Sequence, residues 1–129
     1  MFVEKRKHKR LNLQIEAKLE DTDGNIYKGK TNNISFGGLF IELSPVTLNK
    51  DDKCNITLLL NTDESENIIP IAFECKIVHA RKKGYGVQYI CIDGLDAYNH
   101  FEKLMVLNSD EPEILMTELE KNPGLIVKK

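Results

Sequence analysis

Hydrophobic residues take every second position along the first stretch of the chain: Leu11, Leu13, Ile15, Ala17 and Leu19, with Asn12, Gln14, Glu16 and Lys18 between them. A period of two puts alternate side chains on opposite faces, so residues 11–19 read as a strand with one face buried. Asp21-Thr22-Asp23-Gly24-Asn25 supplies turn chemistry, because Gly and Asn tolerate positive φ, and residues 26–33 return as a second strand. Gly37-Gly38 marks a tight bend. Beyond it, Leu39, Phe40, Ile41 and Leu43 outline a third strand over residues 38–43. Ser44-Pro45 breaks that strand, since proline donates no ladder hydrogen bond. Residues 53–61 form the next strand and end at a polar loop over residues 61–67. In residues 68–80, Ile69, Ile71, Phe73, Cys75 and Ile77 alternate with other residues. Arg81-Lys82-Lys83-Gly84 reads as a hairpin turn, and residues 85–92 place Val87, Tyr89 and Cys91 on one face. Six strands joined by short turns, with no helix between them, predict an antiparallel barrel or sandwich.

The period changes only after the sixth strand. Asp93 is the expected N-cap of a helix, with Asp96 as a capping-box-like partner. Leu95, Tyr98, Phe101, Leu104 and Met105 then share a helical face suited to covering the barrel. Ser109-Asp110-Glu111-Pro112 signals a second helix start, with Pro112 in its first turn. This short helix carries Ile114, Leu115 and Leu119 and runs to about Lys121, before Asn122-Pro123-Gly124 stops it. The apolar tail Leu125-Ile126-Val127 has no destination legible in the pattern.

With 129 residues, 41% hydrophobic and 29% charged, the chain has the make-up of one globular domain. No apolar run approaches the roughly 18 residues of a membrane span. The N-terminus is charged from Glu4 onward and lacks an apolar leader segment, so the expected location is cytoplasmic. Cys54, Cys75 and Cys91 are an odd number of thiols on apolar strands, which reads as buried structural cysteine rather than a disulfide framework. Cys75 and His79 are four apart, but no second ligand pair accompanies them, and no metal is expected. The chain lacks a P-loop, an H-E-x-x-H run and a nucleophile elbow, so no enzyme is expected. Two glycosylation sequons, at Asn33 and Asn55, carry no weight without a secretion signal.

Charge is distributed unevenly. Residues 1–10 hold five basic side chains against Glu4, a net of +4, which leaves 13 basic and 19 acidic groups, a net of −6, on the rest. A basic arm on an acidic body holds an anion locally; a solvated tail is the other reading. Within the arm, Arg6 and Arg10 offer planar forks of donors that suit phosphate or the O6/N7 edge of guanine. Lys5, Lys7 and Lys9 add diffuse attraction that salt screens; His8 is either a plain linker residue or one whose protonation at mildly acidic pH strengthens phosphate binding. Asn33 and Ser35, two apart, are expected on one strand face, where amide and hydroxyl can meet a nucleobase edge or a ribose. Gly38 permits close backbone approach. The bland reading of this segment is a polar bend that satisfies its own backbone. Residue chemistry alone therefore reaches an anionic, nucleotide-like ligand between a basic arm and a barrel surface.

Two motifs sharpen this picture. Arg6-Lys7-His8-Lys9-Arg10 is an R-x-x-x-R, and Asn33-Ile34-Ser35-Phe36-Gly37-Gly38 is an N-x-S-x-x-G. The 22 residues between Arg10 and Asn33 suit a strand-turn-strand, and Gly86-Val87-Gln88-Tyr89 closes the β region. In this order and spacing, over residues 4–108, the chain resembles the PilZ domain family of bacterial cyclic di-GMP receptors. The resemblance implies a mainly β fold: a six-stranded antiparallel barrel with a C-terminal helix or helices packed on it. It implies a ligand-binding arm at residues 1–10, a barrel with its covering helix at 11–108, and a short helix and tail at 109–129. By that resemblance Arg6 and Arg10 engage guanine and phosphate of cyclic di-GMP, and Asn33, Ser35 and Gly38 contact a guanine edge. Lys9, His8 and Gly37 are secondary candidates. Asn33 occupies a position that is often Asp in the family, so one acceptor is kept and the charge is lost. The expected output is a change in an effector protein, or in a neighbouring copy, when the arm orders on the ligand. A small nucleic-acid-binding barrel is the rival reading, weakened by the acidic body, the absence of Trp and 7% aromatic content. A PilZ-like protein-interaction domain without nucleotide binding is the other alternative.

Overall fold

The alternation that starts at Leu11 closes on itself. The structure, a computed structural model, describes residues 11–43, 48–61, 68–121 and 125–128. Six strands form the wall: β1 Glu16–Glu20, β2 Ile26–Ile34, β3 Gly38–Glu42, β4 Lys53–Asn61, β5 Ile68–Arg81 and β6 Gly84–Asp93. They run in the antiparallel order β3-β2-β1-β4-β5-β6, and pairing of β3 with β6 completes a barrel. Hydrogen bonding at that seam decides between the barrel and sandwich that the sequence left open. Helices α1 Leu95–Leu107 and α2 Pro112–Lys121 follow, and Val127–Lys128 returns as a short β7. None of the described helices is long and apolar enough to cross a membrane.

The inward-facing set fills the interior as the period predicts. Leu19, Ile41, Ile56, Leu58, Ile71 and Ile77 are wholly inaccessible to solvent. Cys54, Cys75 and Cys91 are free thiols in buried positions, and burial, with Asp52 nearby, pushes the Cys54 thiol up to about 12. Cys54 and Cys75 are small apolar fillers, as expected, whereas the Cys91 thiol bonds Glu74: a register shift beside Glu74 puts Ile92 in the core and takes Cys91 off the face expected to carry Val87 and Tyr89. In the first hairpin the Asp21 carboxylate accepts the N–H groups of Asp23 and Asn25, and Gly24 supplies the positive φ of 87°.

The first strand is shorter than its sequence pattern. The β1 ladder starts at Glu16, while residues 11–15 are held by other means. Leu11 and Ile34 exchange two backbone hydrogen bonds of 2.8 and 2.9 Å. The buried Thr31 hydroxyl accepts from the Ile15 N–H at 2.9 Å and donates to the Leu13 carbonyl at 2.8 Å. A side chain thus stands in for ladder bonds, and β2 shifts register between Thr31 and Asn33.

The helix docks through aromatic rings. Phe101 meets Phe36, Phe73 and Tyr89 edge-on at centroid distances of 5.5, 5.0 and 5.8 Å, and Phe73 stacks on Tyr89 at 4.3 Å. Phe101 and Met105 form the buried stripe of α1. Leu95, expected on the same face, is 65% exposed; at about 100° per residue it lies about 120° around the helix from Phe101. The cap also differs from expectation. Gly94, with φ 106°, is the N-cap and makes no side-chain cap bond. Asp93 belongs instead to β6, where it pairs with Lys128. The chain needs a left-handed residue to leave the strand and enter the helix, and glycine supplies it without strain.

The tail finds its destination beside β6. The Ile92 N–H donates to the Ile126 carbonyl at 2.8 Å, and β7 runs parallel to the end of β6. Lys128 Nζ meets Glu74 Oε1 at 3.0 Å, while Glu74 Oε2 accepts from the Cys91 thiol at 3.0 Å. These contacts hold the Glu74 carboxyl below its ordinary range.

Two substitutions test this packing. Among the described residues the buried Tyr89 hydroxyl has no hydrogen-bond partner, so Tyr89→Phe should leave stability unchanged or raise it by up to ~1 kcal/mol. Thr31→Val strands the Ile15 N–H and the Leu13 carbonyl and should cost about 1–3 kcal/mol. Urea unfolding followed by circular dichroism, with an unchanged m-value, reads both. A clearly destabilised Tyr89→Phe protein would show that the hydroxyl is engaged.

Candidate ligand-binding site

β2 ends at Ile34, and the next three residues turn the chain into β3. Each position of the turn has a separate task. Ile34 is fully buried and carries the bridge to Leu11. The Ser35 hydroxyl accepts the N–H groups of Gly37 and Gly38, each at 3.1 Å, and donates to the Gly38 carbonyl at 3.1 Å. The Ser35 N–H reaches the same carbonyl at 2.8 Å. Phe36 is 1% exposed and plugs into the ring cluster under α1. The Gly37 carbonyl accepts the Tyr89 N–H at 3.0 Å.

Gly38 sits at the barrel seam, paired with Gln88. A Cβ there would overlap the Val87 carbonyl oxygen. Its role is close backbone approach rather than an unusual φ, and only glycine permits it.

Asn33 and Ser35 therefore do not share a face. Asn33 is half-buried on the outer wall, directly opposite Phe40 of β3, whereas Ser35 lies past the strand end, buried, with its hydroxyl committed to the turn. The same-face expectation treated both as strand residues, and the strand stops between them. Among the described residues the Asn33 amide has no hydrogen-bond partner, so its donor and acceptor remain available for a ligand edge.

The remaining sequence candidates, Arg6, Arg10, Lys9 and His8, lie outside the described residues. The described chain begins at Leu11, which is bonded to Ile34, the neighbour of both Asn33 and Ser35. Sequence reasoning missed the parts played by Ile34 and Phe36. The available signal was that both are large apolar residues inside a segment read as a polar bend.

Elsewhere on the wall, a groove of about 210 Å³ is lined by Glu20, Asp21, Lys53, Asn55 and Glu74, among others. It shares no residue with the turn, and its three carboxylates repel an anion.

Comparisons with known proteins follow the same lines. A family model for the PilZ domain matches residues 4–105. Among curated proteins none matches the chain. Among solved structures, the Bacillus subtilis inhibitor of motility, MotI/DgrA, superposes with a TM-score of 0.61 at 14% identity, over 94% of this chain and 53% of that one. The chain thus spans about half the length of that protein. The PilZ domain of CeSA, from a cellulose-synthesizing bacterium, superposes with a TM-score of 0.54 at 20% identity, over 74% of this chain and 93% of that domain. At these identities the likeness speaks for the fold. The family match extends over most of a chain whose barrel closes at an N-x-S-x-x-G turn, and this chain belongs to the PilZ domain family.

Proposed function

We propose that the chain is a receptor for cyclic di-GMP, with no catalytic step, that signals by folding its N-terminal arm over the ligand. The observation that carries this reading is the Leu11–Ile34 bridge, which ties the root of the arm to the strand residue between Asn33 and Ser35. Arg10 directly precedes Leu11, and Arg6 is at most ~18 Å of extended chain away. Both guanidinium groups can therefore reach a ligand seated at Asn33. Such a ligand brings two phosphates for charge-assisted hydrogen bonds, and guanine edges for an amide and for arginine forks.

In this reading Asn33 contacts the base, and Ser35 acts through the turn that it holds. Gly38 lets the seam close and so fixes the surface on which the ligand lands. The arm supplies the switch. A ligand that binds the closed arm more tightly than the open one shifts the population, and the changed face is presented to an effector protein or a second copy.

Calorimetric titration with cyclic di-GMP tests the reading, with GTP, cyclic di-AMP and a short single-stranded DNA as controls. Selective saturable binding to cyclic di-GMP is the expected result; salt-sensitive DNA binding alone would favour the nucleic-acid reading. Arg10→Ala should lose about 1.5–3 kcal/mol per charge-assisted hydrogen bond removed, at least roughly tenfold in affinity. Binding as tight as wild type would take Arg10 out of the site.

The turn gives a second, sharper contrast. Asn33→Ala should weaken binding and leave the urea midpoint in place. Ser35→Ala should lower the midpoint by about 1–3 kcal/mol of stability, because two glycine N–H groups lose their acceptor. If both variants weakened binding with no loss of stability, the hydroxyl of Ser35 would be a direct ligand contact instead.

A further inference from the structure

Asn33 is the first member of a row that crosses four strands. It pairs with Phe40 of β3, Phe40 pairs with Gly86 of β6, and Gly86 pairs with His79 of β5. Leu39 and Ile41 are buried in the core, so strand alternation points Phe40 to the outer wall. Phe40 is half-buried there and is not part of the apolar set packed against the interior.

Gly86 explains how the row is assembled. A Cβ on Gly86 would overlap the His79 imidazole. The ring therefore lies across the β6 backbone, in the space a side chain would fill, and reaches Phe40. The two rings stack at a centroid distance of 6.3 Å with planes 26° apart. Both ends of the row also follow a register shift, between Thr31 and Asn33 in β2 and between Ile77 and His79 in β5. Bulges re-aim side chains on a barrel wall and concentrate next to functional sites.

We infer that Phe40 and His79 form a stacking shelf for a purine base of the ligand, with the Asn33 amide reading that base's edge. This rests on the cyclic di-GMP reading above and adds residues that neither motif contains. A purine needs two kinds of contact, a flat surface for its face and donors or acceptors for its edge. The row supplies both along one line, beside the root of the arm. Aromatic stacking tolerates any base, so the shelf contributes affinity and leaves base choice to Asn33 and the arginines.

The chain contains no Trp, which makes the test direct. Phe40→Trp introduces a single indole on the shelf, and a stacked purine quenches its emission. Cyclic di-GMP should quench that indole saturably, with a calorimetric Kd within about threefold of wild type. Phe40→Leu and His79→Leu should each weaken binding by about tenfold or more, with cooperative thermal unfolding retained. If wild type binds cyclic di-GMP while both leucine variants bind equally well and the indole does not respond, the shelf is overturned and the receptor reading stands. If wild type binds no cyclic di-GMP and the indole is silent, the receptor reading fails and the shelf falls with it.

Discussion

The barrel depends on close backbone approach at one seam. β3 lies against β6 because positions 38 and 84 have no side chain, so backbone meets the Val87 carbonyl at one end of the seam and the Ile41 carbonyl at the other. Everything proposed for the ligand is arranged around that seam. Ser35 holds the turn that delivers Gly38 to it, and Phe36, from the same turn, seats α1 through Phe101. A motif associated with nucleotide binding is thus also the structural joint of the barrel. The two roles are compatible because a binding surface gains from being rigid before the ligand arrives. Ser35, Phe36 and Gly38 serve the fold, which leaves Asn33, among the described residues, with an uncommitted amide for the contact proposed for it.

The two chain ends are joined to the barrel in different ways. At the N-terminal side, the chain enters through a two-bond bridge to Ile34 and a threonine hydroxyl that replaces ladder bonds. This fixes the root of the arm beside the turn. At the C-terminal side, β7 adds to β6, and Lys128 reaches across to Glu74 on β5. That ion pair is exposed, and exposed pairs contribute little energy. It serves to register the strand, and the apolar contacts of Leu125 and Val127 with the core do more to hold it.

Charge separation fits this division. Residues 1–10 carry +4 and the remainder −6, so positive charge is concentrated in the sequence immediately before Leu11, the residue bridged to Ile34. The groove among Glu20, Asp21 and Glu74 is lined by carboxylates, which disfavour an anion. The proposed stacking surface, an amide without a partner among the described residues, and the arm root at Leu11 instead occur together along the β2–β3 side, beside the register shift in β2.

Periodicity by itself determined the six strands, the hairpin at Asp21–Asn25, the inward set from Leu19 to Ile77 and the Phe101–Met105 stripe of α1. Each depends on neighbours within a few residues, where a period of two or 3.6 is decisive. The two motifs, read by their order and spacing, also identified the family. Tertiary structure decided the rest. The choice of barrel over sandwich rests on the β3–β6 seam, where Gly38 meets Val87, 49 positions away in the chain, and Gly84 meets Ile41. Asp93 loses the helix cap because Lys128 draws it into a strand. Thr31 ends the first ladder at Ile15, and the Ser35 hydroxyl turns inward because Gly37 and Gly38 fold back over it. Phe40 and His79 become neighbours only when β6 lies between them with a glycine at position 86. No local pattern encodes these contacts, because each is fixed by which residue a closed sheet brings opposite which.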